Sequence, residues 1–189
     1  MNNLVPVAVW TAAAVVLLCA APSSGAAQGA GAIAPIPARP GDVATIDGIL
    51  QAFYDVISGP VGQPREWARD RALYIPGVRF VAMSVRNGVP VAQVMSHQQF
   101  VEDSDPWMVG QGFFEEEIHR VTHRFGNIAH VFSTYAFHRT ADGPVLGRGV
   151  NSIELFWDGT RWWIAGAIWD GERPDNAIPA ALLQDPPRD

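Results

Sequence analysis

The chain has little cysteine and little charge. Its one cysteine, Cys19, sits inside an apolar run near the N-terminus, so loss of that run leaves a mature chain without a thiol. Disulfides, cysteine-ligated metals and a cysteine nucleophile are then excluded. Charged residues are 17% of the 189, and the formal net charge is -6. Basic residues form no cluster, which argues against a nucleic-acid surface. Glycine-rich phosphate loops, a Gly-x-Ser-x-Gly elbow and a zincin helix are all missing. No repeat or second domain is visible, and the length suits one globular domain with appendages.

The first charged residue is Arg39. Before it lie an apolar run, 4–21, and a segment of small residues, 22–34. This reads as a secretory signal peptide over 1–27, with cleavage near Ala26 or Ala27 and a secreted or periplasmic product. No Lys or Arg precedes the run, so an uncleaved membrane anchor is the alternative. Leu18, just before Cys19, is not the small residue that a lipidation signal needs. Residues 28–41, rich in Ala, Gly and Pro, read as a flexible linker. The domain spans 42–172, and the proline-bearing stretch 173–189 is an irregular tail.

Within the domain, Asp42 is a good N-cap. Val43, Ile46, Ile49, Leu50, Phe53, Tyr54 and Ile57 then recur at helical spacing through Ser58. Pro64 opens a second helix to about Leu73. Residues 78–85 and 89–95 read as strands around an Asn87-Gly88 turn. Ser96 caps a third helix that Pro106 should end, leaving Trp107 and Met108 in a loop. Residues 113–170 then hold four long strands, paired through Gly126-Asn127 and Asp158-Gly159 as two-residue turns.

This order of elements resembles the nuclear transport factor 2-like superfamily, in its SnoaL-like branch. The resemblance also rests on Phe53-Tyr54-Asp55, on 124–135, and on the final hairpin at 156–162. It implies an α+β fold, a cone-shaped curved antiparallel sheet packed over N-terminal helices (cystatin-like), with a pocket at the wide end. It further implies dimerisation through the sheet. The superfamily hosts isomerases, dehydratases and epoxide hydrolases, so the fold does not choose a reaction. Ketosteroid isomerases place a Tyr on the first helix, an element that Tyr54 occupies here.

Side chains alternate across a strand. Counted this way, Glu115, Glu117, His119, Val121 and His123 share one face, and Arg120, Thr122 and Arg124 the other. A bulge is expected to move the pairs and leave this parity alone. Glu117 beside His119 suggests a carboxylate orienting an imidazole base; the plainer alternative is a polar outer face. His123 opposite His130 lacks a third metal ligand. Asn151 and Asp170 fall on the face of Trp162, and Tyr54, Trp107 and Tyr135 supply an aromatic wall. The last hairpin is apolar on both faces, which calls for a second cover, either another subunit or the folded-back tail.

The sequence thus describes an exported domain that binds a small apolar or aromatic molecule. One version adds acid–base chemistry of isomerase, dehydratase or hydrolase type, with His119, Glu117, Tyr54 and Asp170 acting and Trp107, Tyr135 and Asn151 binding. The other is a non-catalytic ligand-binding or protein-interaction module. Neither calls for a cofactor, a metal or nucleic acid. The membrane enters only through an uncleaved leader, and the partner is a second copy bound through the sheet.

Overall fold

A computed structural model of the chain describes residues 33–184. The signal segment and its cleavage site lie outside them, as do 28–32 of the linker and the last five residues of the tail. The element order is α1 (Pro40–Val43), α2 (Ile46–Asp55), α3 (Trp67–Arg71), β1 (Tyr74–Arg86), β2 (Val89–Ser96) and α4 (His97–Gln111). Then follow β3 (Phe114–Phe125), β4 (Ile128–His138), β5 (Gly147–Trp157), β6 (Trp162–Gly171) and a 3-10 turn, Ala180–Leu182. The six strands form one sheet in the order β2-β1-β6-β5-β4-β3. It is mixed rather than wholly antiparallel, because β1 lies parallel to β6. Helix α2 packs on one face, and Ile49, Leu50, Val131, Ile153 and Ile164 between them are fully buried. The fold is therefore the expected α+β arrangement. Among the described residues no helix is long and apolar enough to cross a membrane.

The first helix differs from the expected one. Asp42 lies inside the single turn of α1, and the N-cap of α2 is Thr45, whose Oγ1 accepts from the Gly48 N–H at 2.9 Å. Asp42 instead accepts two hydrogen bonds from Arg69, both at 2.8 Å, which fasten α1 to α3. Ser96 does cap α4, with Gln99 completing a reciprocal capping box. Pro106 does not end that helix, which continues five residues beyond it and takes in Trp107 and Met108.

Residues 33–39 run without regular structure, held by Ile33 N–H to Gln98 Oε1 at 3.2 Å and Ile36 N–H to Ala68 O at 3.3 Å. The tail turns back over the opposite face of the sheet. Ile178 N–H donates to Glu172 Oε1 at 3.2 Å, and Thr134 Oγ1 donates to Leu182 O at 2.5 Å.

Two strands each carry one extra residue. Glu117 pairs with Tyr135 and His119 with Thr134, so Ile118 is bulged out of β3. Glu154 pairs with Gly166 and Leu155 with Ile164, so Ala165 is bulged out of β6. Because side chains alternate, one unpaired residue exchanges the faces of everything beyond it. Parity is therefore not preserved along β3 or β6. On the α2 side lie Glu115, Glu117, Arg120, Tyr135, Asn151 and Trp169, while His119, Ile168 and Asp170 lie on the other.

Between α2 and α3 the chain is held by Arg65, which is 6% exposed. Its guanidinium donates to the carbonyls of Gln63 (2.6 Å), Gly59 (2.7 Å) and Met108 (2.7 Å), joining this loop to the last turn of α4. Truncation takes the guanidinium donor from the buried Met108 carbonyl and one of two donors from the buried Gly59 carbonyl, which keeps the Phe113 N–H. Arg65→Ala should lower the unfolding free energy by about 2–4 kcal/mol, and Arg65→Lys should recover less than half, lacking the fork. Urea denaturation checks this, and an Arg65→Ala midpoint equal to wild type would refute it.

Candidate functional site

Two cavities open against the sheet, one beside α2 and the other between α2 and α4. One, of about 420 Å³, is polar and is lined by Gln51, Tyr54, Asp55, Glu115, Glu117 and His138 among others. The other, of about 200 Å³, is lined chiefly by aromatic and apolar side chains, including Phe53, Phe100, Phe113 and Trp169, with Tyr135 and Asn151. Glu115 lines both and so forms their shared wall. The larger cavity falls within the size range of small-molecule sites.

A chain of hydrogen bonds ties α2 to the sheet beside that wall. Asn151 Nδ2 donates to Tyr54 Oη at 3.1 Å, and Tyr54 Oη and Ser133 Oγ are 2.6 Å apart. Ser133 Oγ donates to Glu117 Oε1 at 2.5 Å. The Tyr54 hydroxyl is thus left to donate to Ser133 while it accepts from Asn151. Arg120 closes the chain on Glu117 Oε2, through Nε at 2.8 Å and through a second contact from Nη2. Burial, then the Glu115 and Glu117 carboxylates nearby, push the Tyr54 phenol far above its ordinary range, while Ser133 and Asn151 pull the other way. The phenol stays neutral. Burial likewise raises Tyr135, with Glu115 and Asp170 adding to it.

Glu115 is the odd member. It has no cation beside it: burial pushes its carboxyl up to about 8, opposed only by a hydrogen bond with Asn151. Ser58 fixes its backbone, with Oγ accepting from the Glu115 N–H at 3.0 Å. The surface it retains faces the two cavities that it lines.

Of the residues singled out in the sequence, Glu117, Tyr54, Tyr135 and Asn151 come together here. The others do not. His119 lies across the sheet from Glu117, its Nε2 buried without a partner, so the pair cannot act as base and orienter. Asp170 is on the outer face, bonded to Arg173 at 2.7 Å and to Asn176 at 3.3 Å. Trp107 is 39% exposed, packed at a tilt against Phe113 at 5.4 Å and under Arg139 at 4.5 Å, and lines neither cavity. The bulges at Ile118 and Ala165 cause the first two displacements; continuation of α4 past Pro106 causes the third. Glu115 and Ser133 were missed as site residues. Glu115 joins the face of Arg120 once the bulge is known. Among the described residues no three His, Cys, Asp or Glu side chains gather as a metal site.

Replacing Glu115 tests the buried carboxyl. Below about 4.5 both folded and unfolded chains hold the proton, and its contribution to stability is complete. Between 4.5 and 8 only the folded chain holds it, so stability falls as pH rises, by at most about 1.4 kcal/mol per pH unit. Above 8 the folded form ionises and the loss stops. Glu115→Gln should therefore gain stability relative to wild type from pH 5 to pH 8, read as urea midpoints. Parallel curves would refute the assignment.

No family model matches the chain, and no curated protein matches it in sequence. Solved structures do match in shape. The β subunit of a putative aromatic-ring-hydroxylating dioxygenase from Novosphingobium aromaticivorans superposes with a TM-score of 0.53 at 15% identity, over 76% of this chain and 95% of that one. A variant of Rv3472 from Mycobacterium tuberculosis, a protein of unknown function, gives 0.52 at 14% identity over 74% and 78%. The hexachlorocyclohexane dehydrochlorinase LinA-type3 of Novosphingobium barchaimii gives 0.51 at 9% identity over 76% and 94%. These likenesses, with the six-stranded sheet wrapped on α2, make this chain one with the nuclear transport factor 2-like, cystatin-like fold.

Proposed function

We propose that the protein binds a small, largely apolar molecule in the cavities that share Glu115 and moves a proton on it, with Glu115 as the exchanging group. The observation that carries this reading is a carboxyl enclosed between a polar and an aromatic cavity, free of cations and poised near neutral pH. Perturbed groups of this kind are where acid–base chemistry is found. The ionised carboxyl takes a proton from carbon, and the resulting acid returns it at another position. The exchange balances without a cofactor. Tyr54 and Asn151 hold the wall in place. Structures sharing the fold include a dehydrochlorinase and a dioxygenase subunit, so the reading rests on the site and not on the fold.

The alternative is binding alone, favoured by the commitment of the Tyr54 hydroxyl to Ser133. Deuterium exchange separates the two. Incubated in D2O with β,γ-unsaturated cyclic ketones, the wild-type protein should speed label uptake at carbon, with the rate rising through about pH 8. Glu115→Gln should lower that rate by about 100-fold or more. Binding without exchange leaves only the module reading.

Pairing of two chains through the outer face belongs to the same proposal. The register aligns Val121, Phe132, Ser152, Ile168, Val81 and Val94 in one row across all six strands. Phe132, Ile168 and Val94 are 36%, 47% and 60% exposed. Exposed apolar residues aligned in this way, interrupted by Ser152, support a contact face. The double variant Phe132→Asp, Ile168→Asp should convert a dimer to a folded monomer, measured by light scattering. A monomeric wild type would end the idea.

A further inference from the structure

The charge around the cavities is uneven in a way the proton-exchange reading does not need. Asp55, Glu115, Glu116 and Glu117 all line the polar cavity, and its one basic lining residue is His138. Two arginines stand behind the rim, and each is already divided among several carboxylates. Arg69 serves Asp42 and Glu66, and stands 3.8 Å from Asp55. Arg120 serves Glu117 and Asp47. The acids therefore outnumber the cations at this end of the molecule, in a chain whose net charge is -6. Beyond Glu115 the wall changes character, to the rings of Phe53, Phe100, Phe113 and Trp169.

We infer that the ligand of the two cavities that meet at Glu115 is an organic amine, its ammonium group held by Asp55 and Glu116 in the polar cavity and its apolar or aromatic body in the aromatic one. This inference rests on the function proposed above and names the chemical class that the site takes. A carboxylate or phosphate ligand would meet like charge in the polar cavity and bare rings beyond it, with no guanidinium among the lining residues of either cavity to receive it. A neutral molecule fits the aromatic cavity and leaves the acids of the polar one idle. An ammonium answers both parts, since carboxylates attract it and ring faces tolerate a cation nearby. It also supplies what Glu115 lacks. A positive charge beside that carboxyl favours its ionised form, so the amine releases the proton of Glu115 as it binds and brings the base into its working state.

Three matched probes test this: 2-phenylethylamine, 2-phenylethanol and 3-phenylpropanoate, titrated calorimetrically at pH 7 into the full chain. The amine should bind at least about tenfold more tightly than the alcohol, a difference of about 1.4 kcal/mol, and the carboxylate should bind least. Heats measured in phosphate and in Tris should differ for the amine, because a proton is released, and agree for the alcohol. High salt should erode the preference, since screening reaches about 3 Å at 1 M. Asp55 and Glu116 are well exposed, so the variant Asp55→Asn, Glu116→Gln should fold; it should lose most of the amine's advantage and leave the alcohol unchanged. Ser104→Trp, which fills the aromatic cavity, should weaken both.

Equal affinity for amine and alcohol would overturn the charge inference while leaving the cavity as the binding site. Preference for the carboxylate, or binding of none of the three, would overturn the inference too. The deuterium exchange at Glu115 is read separately and stands or falls by itself.

Discussion

One unpaired residue in β3, Ile118, decides which side chains meet helix α2. Without it, Glu117 would share a face with His119, and the strand beyond would present its histidines to the core. With it, Glu117 turns inward to Ser133 and Arg120 while His119 turns toward Thr134. The bulge has its own cost, since Ile118 is left 41% exposed on the outer side. What offsets that cost is the polar chain from Asn151 through Tyr54 and Ser133 to Glu117, every member of which finds a partner. A buried network that satisfies all its members fixes one arrangement; a partly satisfied one would not. The helix and the sheet are thereby set at one register, and the cavities lie where that register leaves space.

Much of this architecture was legible. Asn87-Gly88 and Gly126-Asn127 sit in hairpin turns, with φ of 53° and 77° at the first pair and 55° at Gly126, and the pairing of Phe125 with Ile128 and His123 with His130 follows from them. Ser96 caps its helix because Gln99 stands three residues on. The errors share a different cause. Period-2 reasoning carries no marker for an inserted residue, and nothing about Ile118 or Ala165 as residue types says that either is extra. Each is fixed by pairing partners far away in the chain. The last hairpin shows the same limit: four residues, Asp158 to Arg161, separate Trp157 from its partner Trp162, because Asp158 caps the turn by accepting from the Thr160 and Arg161 amides. Local signal names the turn and leaves its length open.

Pro106 makes a related point about helix ends. Proline removes one hydrogen bond and crowds the preceding turn, yet α4 continues because its far end is wanted elsewhere. Met108 offers its carbonyl to Arg65 and its side chain to the core, and Trp107 packs against Phe113 where the chain enters β3. Tertiary contacts outweigh one missing bond. Placement of Trp107 outside the cavities follows directly, since its position on the helix turns it toward Arg139.

The candidate site gains its meaning from the contrast between two glutamates two residues apart. Both point inward, from the same strand, with the same chemistry. Glu117 is held by a guanidinium and a serine hydroxyl, so its charge is compensated and its role is to anchor α2. Glu115 has only Asn151, and burial raises it to about 8. Environments that treat two like groups so differently are how a protein assigns separate roles to them. The sequence Glu115-Glu116-Glu117 could not show this, because the difference lies in Ser133, Arg120 and Asn151, which arrive from other positions. An uncompensated carboxyl is expensive to bury, and the fold keeps this one at the boundary of two cavities, where a bound molecule can supply what the protein withholds.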